Sequence, residues 1–353
     1  MFTPNPWLVP DAPFDIVSSQ ALFPSSGPFR RMSGGFARNE AGRLLLTFTH
    51  ASMPRGDRSA IMTSWSDDDG KTWTEPVALY ARPGWDVYPM SAARPLSGNH
   101  HRLFVGRLKF APALGGIQPF ADWRTSYVDS FDGGETWTEE SEEIRLFPWC
   151  TEVYGASNPH RLSDGRYMWG LSGTQGQDSD WRYAVSFTDA EGNGYTEPVV
   201  IAQGDGLGFP EGDIIQLADG RYMAVIREQI RKETVVAWSA DEGRSWTEPV
   251  PTGFLGSNIK LHRLPNGEIL CAYRDENPAR RGVSCSITSN GGTNWQFVGQ
   301  LYDAPDDHPH IPGHLCGYPD FIEIGEREFL GILQTYEDAD HEIGLHLFHL
   351  RGA

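Results

Sequence analysis

Apolar residues in this chain fall in short runs, and each run ends at a turn-forming residue or a charge. Six runs stand out: Gly42-Arg43-Leu44-Leu45-Leu46, Leu103-Phe104-Val105-Gly106, Gly165-Arg166-Tyr167-Met168-Trp169, Gly220-Arg221-Tyr222-Met223-Ala224, Gly267-Glu268-Ile269-Leu270-Cys271 and Phe329-Leu330-Gly331-Ile332-Leu333. Four of them open on Gly. Runs this short, rich in branched and aromatic residues, predict buried strands rather than helices. No stretch is long and apolar enough to predict a membrane-spanning helix.

A second pattern recurs between these runs. Ser66-Asp67-Asp68-Asp69-Gly70-Lys71-Thr72-Trp73 returns as Ser130-Phe131-Asp132-Gly133-Gly134-Glu135-Thr136-Trp137 and as Ser239-Ala240-Asp241-Glu242-Gly243-Arg244-Ser245-Trp246. Two worn copies follow the same grammar, Thr288 to Trp295 and, more loosely, Ser186 to Tyr195. The closing aromatics at 73, 137, 195, 246 and 295 are 64, 58, 51 and 49 residues apart, about one four-stranded sheet per repeat. The Asp accepts from backbone N–H groups in a tight turn, the Gly takes positive φ, and the Trp packs back between strands. The acidic residues of these boxes are therefore structural. Outer strands open on Thr-Glu-Pro at Thr74, Thr196 and Thr247.

Six four-stranded repeats predict an all-β chain, a six-bladed β-propeller of antiparallel blades. Ring closure needs both ends of the chain in one blade, and the run Ile16 to Leu22 is expected to complete the sixth blade beside a final strand at His341 to Leu350. No Pro-, Ser- or Gly-rich linker divides the sequence, so residues 1–353 are expected to form one domain.

Composition narrows the chemistry. With 39 Gly and 25 Pro among 353 residues, long helices are excluded, while 12 Trp, 12 Tyr and 18 Phe supply a large core. A formal net charge of -18 argues against nucleic acid and anionic membranes as partners. Cys150, Cys271, Cys285 and Cys316 show no metal-type spacing and are expected to be buried thiols, although Cys271 and Cys285 flank a hairpin and could be neighbours. The first residues lack a basic segment followed by an apolar one, so no signal peptide is expected, and the compartment stays open between cytoplasmic and secreted.

In a propeller the inner strands converge on the axis, so a site can draw on all six blades. Several segments carry the right residues in order. Glu211 stands in Phe209-Pro210-Glu211-Gly212-Asp213 with Arg227 16 positions later; Asn277-Pro278-Ala279-Arg280-Arg281-Gly282 precedes the fifth box; Gly317-Tyr318-Pro319-Asp320 follows; Phe29-Arg30-Arg31 and Met53-Pro54-Arg55-Gly56-Asp57 lie in the first repeat. With the boxes, these make the whole chain resemble the sialidase superfamily. The resemblance implies an exo-acting glycoside hydrolase that removes a terminal anionic sugar, needs no cofactor or metal, and has a carbohydrate as its partner. It implies Tyr318 as nucleophile, Glu211 as its activating base and Asp57 as acid/base, with Arg31, Arg227 and Arg280 binding the sugar carboxylate. A guanidinium fork matches a carboxylate in plane and charge. Counting back from the box favours Arg280 over Arg281, and Gln334 or Glu337 falls where the family braces its first arginine. The chain departs from the family in Pro319, where a Ser is usual, and in lacking Ile-Pro after Arg31.

Other readings remain open. Glu211 with Arg227 also describes an ordinary ion pair between strand ends, Tyr318 a packing residue, and Asp57 a solvated loop residue. Glu152 could pair with Glu211 as the two carboxylates of a retaining neutral-sugar hydrolase, as in the exo-arabinanases. His308, His310 and His314 could hold a metal or act as a base in a polysaccharide lyase. A glycan-binding propeller without catalysis is a further alternative. The anionic-sugar reading also predicts that three arginines make a positive island at the mouth of an acidic molecule.

Overall fold

The computed structural model describes residues 7–23, 29–52, 59–110, 120–176, 180–304, 316–336 and 343–352. The described residues form six antiparallel sheets and no helix, arranged as a six-bladed propeller. The inner strands of blades 1 to 6 begin at Phe29–Arg38, Asp86–Pro89, Glu152–Ala156, Glu211–Gln216, Gly256–Arg263 and Gly317–Glu323. In blades 2 and 3 the inner strand is interrupted and resumes at Arg94–Pro95 and His160–Arg161. The outermost segment of blade 2 is attached by Ser141 N to Tyr127 O at 2.9 Å and Ile144 N to Thr125 O at 2.8 Å.

The ring closes as the sequence predicts. Phe14–Leu22 is the outer strand of blade 6 and pairs with Ile343–Gly352, from Phe14 opposite Gly352 to Leu22 opposite Leu345. One blade thus combines segments from both ends of the chain.

The core is divided into six clusters, one in each gap between neighbouring blades, among them Leu45, Val87 and Leu103 between blades 1 and 2 and Phe329 with Val283 between blades 6 and 5. Each blade is apolar on both faces because each face meets a neighbour. The axis carries a different population, polar and charged, and the cavity described below lies there.

The boxes do what their sequence predicts. Asp68 Oδ1 accepts from Thr72 N at 2.9 Å and from Ser66 Oγ at 2.8 Å, while Gly70 N donates to Ser66 Oγ. Trp73 Nε1 returns to Gly70 O at 3.1 Å. Asp132 and Asp241 repeat the pattern, and Asn290 keeps the turn bonds with a neutral side chain while Trp295 Nε1 makes no return bond. In the loosest copy Asp189, one place early, takes over and accepts from Asn193 N at 2.7 Å. The Thr72 bonds hold Asp68 down to about 2. All four cysteines are buried free thiols; Cys271 pairs with Ser286 and Cys285 with Ala272, so the two thiols point to opposite faces of blade 5, one into the gap with blade 4 and the other into the gap with blade 6, and are not side-chain neighbours.

Candidate active site on the propeller axis

A cavity of about 330 Å³ runs into the axis from one face of the ring. Its walls come from all six blades, and irregularities in the inner strands shape it. Register shifts interrupt these strands between Ser33 and Gly35, Tyr154 and Ala156, Ser257 and Lys260, and Gly317 and Asp320. A bulge turns a side chain out of the alternation of its strand. Here the turned residues lie in the left-handed region: Gly155, Asn258 at φ 51° and Tyr318 at φ 50°. Asn258 and Tyr318 carry Cβ atoms, so each conformation costs about 1 kcal/mol or more and persists only because its surroundings hold it.

Blade 4, whose inner strand is regular, supplies an ion pair. Glu211 lies directly opposite Arg227, and Arg227 Nη1 donates to Glu211 Oε2 at 3.2 Å. Asn258 fixes the same carboxylate twice, from its backbone N to Oε2 at 2.8 Å and from Nδ2 to Oε1 at 3.0 Å. Burial weakens the charged form of Arg227, but Glu211, Glu276 and Tyr318 outweigh it and raise its pKa above the usual arginine value. The Glu211 carboxylate therefore has both oxygens engaged and a fixed plane.

Across the cavity Tyr154 donates its hydroxyl to the Tyr318 oxygen at 3.3 Å. Burial pushes the Tyr154 hydroxyl well above the usual tyrosine range, so it stays a proton donor at neutral pH. Beside it stand Trp123, edge-on at 5.6 Å, and Trp181, 6.0 Å from Trp123; both line the cavity. The wall from blades 2 and 3 is thus aromatic and the adjoining wall from blade 4 ionic. A sugar ring, with an apolar face and a hydroxylated rim, matches such a pairing. The deeper wall holds Asp213, Lys260, Asp320 and Arg94.

Comparison with known proteins places this architecture. A family profile described as "BNR repeat-like domain" matches residues 109–332. The chain belongs to that family. Among solved structures, a protein of unknown function from Dyadobacter fermentans is 18% identical with a TM-score of 0.77, over 97% of this chain and all of that one. The Hadza microbial sialidase Hz136 is 15% identical with a TM-score of 0.60, over 91% of this chain and 65% of its own. The α-L-arabinanase of Penicillium chrysogenum is 14% identical with a TM-score of 0.61, over 94% and 98%. No curated protein matches the sequence. This BNR propeller thus shares its fold with sialidases and with arabinan-cleaving enzymes.

The residues singled out in the sequence divide into three groups within the BNR propeller. Glu211, Arg227 and Tyr318 meet at the cavity. Arg31 falls on the inner strand of blade 1 opposite His50, three positions before the cavity-lining Gly34, and its side chain is not among the described parts. Asp57, Glu337, His308, His310 and His314 lie outside the described residues.

The third group is not brought to the cavity. Arg280 donates from Nε to Asp275 Oδ2 at 2.7 Å and lies over the Phe297 ring at 4.4 Å, and neither it nor Arg281 is among the lining residues. Glu152 is not among them either; its carboxylate lies close to Gly176. Gln334 is buried opposite Gly317. The expected positive island is corrected accordingly. Among the described lining residues, Arg94, Arg227 and Lys260 face Asp86, Glu211, Asp213 and Asp320, so the described cavity wall is mixed in sign.

Tyr154, Asn258, Lys260, Asp213, Asp320 and the two tryptophans are site residues that the sequence reading did not pick out. Tyr154 sits two places after Glu152 on the same strand, where inner-strand alternation could have found it.

Proposed function

We propose that this propeller is an exo-acting glycoside hydrolase that releases a terminal anionic sugar. Tyr318 is the nucleophile, Glu211 its base, and Asp57 the acid/base. The observation that carries this reading is the meeting of Tyr318, from blade 6, with the Glu211–Arg227 pair, from blade 4, in one axial cavity with an aromatic wall. The protein is an enzyme in this reading, with a carbohydrate as its partner.

The chemistry follows from the substrate class. A sugar with a carboxylate on its anomeric carbon repels a carboxylate nucleophile, whereas a neutral phenol can approach. Glu211 takes the Tyr318 proton as the phenol oxygen bonds to the anomeric carbon, and Asp57 gives its proton to the departing glycosidic oxygen. Water then attacks the glycosyl-tyrosine, passing a proton to Asp57, while Tyr318 leaves and recovers its proton from Glu211. Tyr154, donating to the same phenol oxygen, steadies the charge that develops there. Arg227 and Arg31 are the proposed carboxylate partners. With Arg280 held by Asp275, the clamp in this reading has two members rather than three.

The test is hydrolysis of a fluorogenic sialoside by wild type, Tyr318→Phe and Glu211→Gln. Turnover by wild type and its collapse in both variants supports the reading; no turnover, or an unaffected Tyr318→Phe, sinks it. The neutral-sugar alternative, which pairs Glu152 with Glu211, is tested beside it with an aryl α-L-arabinofuranoside and Glu152→Gln. Binding of a glycan with no product from either substrate points to the non-catalytic alternative.

A further inference from the structure

The three inner strands of blades 4, 5 and 6 share one arrangement. Each presents a residue to the upper cavity and, two positions later, a charged residue to the axis: Glu211 and Asp213, Asn258 and Lys260, Tyr318 and Asp320. The three charges meet at Lys260. Its Nζ lies 3.5 Å from Asp213 Oδ2 and 3.1 Å from Asp320 Oδ1. Arg94 Nη1 stands 3.6 Å from Asp320 Oδ1. Backbone groups anchor the carboxylates, Leu261 N donating to Asp213 Oδ2 at 2.9 Å and Phe36 N to Asp320 Oδ2 at 2.8 Å. All four side chains are almost wholly buried, two cations against two anions.

Such a cluster contributes little to net stability, because the desolvation of each charge offsets most of the attraction. Its place in the strands suggests another use. The bulge that turns Asn258 inward ends at Lys260, and the bulge that turns Tyr318 inward ends at Asp320. Asn258 and Tyr318 both hold strained left-handed backbones, and each bulge would relax if its far end could slide. The contact between Lys260 and Asp320 ties those two ends together. Lys260 also reaches Asp213 on the strand of Glu211, whose carboxylate Asn258 holds by two bonds.

We infer that Lys260 is a positioning residue that sets the placement of Tyr318 against Glu211 by locking the two bulges to blade 4. The inference rests on the proposed roles of Tyr318 and Glu211, and it concerns a residue on a different strand from either, in blade 5. A compact ammonium with three donors suits a junction of two carboxylates from different directions, which a planar guanidinium does not match.

The experiment uses the full chain, with 3-fluorotyrosine at position 318 for 19F NMR and the fluorogenic sialoside for kinetics. In folded Lys260→Met, kcat is expected to fall about tenfold to a hundredfold with KM within about threefold, because a displacement of about 1 Å is enough for such a loss. The Tyr318 resonance shifts and broadens, and Lys260→Arg recovers part of both signals. If Lys260→Met does not fold, the double variant Lys260→Gln/Asp320→Asn, which retains polar partners without charge, carries the same readouts. A folded variant with kcat and resonance unchanged overturns the inference, as does a loss confined to KM, which would make the lysine a substrate contact. If wild type turns over neither sialoside nor arabinofuranoside, the glycosidase reading fails, and the resonance alone decides whether Lys260 positions Tyr318.

Discussion

Glu211 and Arg227 face each other across the first two strands of blade 4, with Arg227 Nη1 3.2 Å from Glu211 Oε2. The pair holds the carboxylate in plane, and in the proposed function the rest of the guanidinium fork meets the sugar carboxylate.

Arg227→Lys is therefore expected to separate binding from chemistry. A lysine keeps the charge but loses the fork, so KM for an anionic glycoside should rise by about tenfold, with a smaller change in kcat. Glu211→Gln should do the reverse, lowering kcat by about a hundredfold or more, the usual scale for loss of a general base. Steady-state kinetics on the sialoside separate the two.

A second prediction concerns pH. His262 packs between Phe321 and Phe329, and burial together with nearby Lys260 lowers its pKa to about 4, so it is neutral in the folded chain. In the unfolded chain it titrates near 6.5. Between these values the unfolded state binds the extra proton, so stability falls as pH drops from about 6.5 towards 4. The loss from this residue is on the order of 3 kcal/mol. His262→Phe removes the titration and should flatten that part of a plot of melting temperature against pH; an unchanged slope would count against it.

Acid acts on Asp320 further down. Burial opposes its charge, but Lys260, Arg94 and the Phe36 N–H outweigh burial and hold its pKa below the ordinary carboxylate value. Its contribution is complete above the unfolded value near 4 and is lost below that, as pH falls through the depressed folded value. Asp320→Asn should therefore lower stability at neutral pH and narrow its gap from wild type under strongly acid conditions, as measured by denaturant titration.

Gly35 stands at the first bulge with φ 99°, and a Cβ there would run into the Asp320 carboxylate. Gly35→Ala combines backbone strain with displacement of that carboxylate, and should cost about 2 kcal/mol or more. Activity should fall further than stability, because Asp320 closes the bulge of Tyr318. Equal losses in folded protein would contradict this.

The boxes offer a control away from the site. Asp241→Ala removes the acceptor for Ser245 N and Ser245 Oγ and should cost about 1–2 kcal/mol without changing kcat.

The fold could be read because its signals are local. A box needs only eight consecutive residues to build its turn, and an apolar run needs only its own alternation. Glu211 and Arg227 were legible for the same reason, as partners on adjacent strands of a regular hairpin. The rest of the site depends on bulges; Asn258 is of a residue type that enters the left-handed region more readily than most, but a tyrosine such as Tyr318 gives no such sign. Arg280 shows the opposite failure. It stands at the right distance from its box, but Asp275, at the start of the same turn, accepts from Arg280 Nε and from Ser284 Oγ and keeps the guanidinium at home. Counting along a chain finds positions, and local partners decide where side chains go.

The shared sixth blade bears on how the molecule is made. Phe14–Leu22 is synthesised early and has no lasting partner until Ile343–Gly352 leaves the ribosome. Contacts between such distant segments are the slow ones to form. Tyr318 belongs to the blade they complete, whereas Glu211 and Arg227 belong to a blade that can assemble from a continuous stretch of chain. A nascent chain would hold the carboxylate and its arginine long before it held the tyrosine in place, so competence for the proposed chemistry arrives with the last step of ring closure.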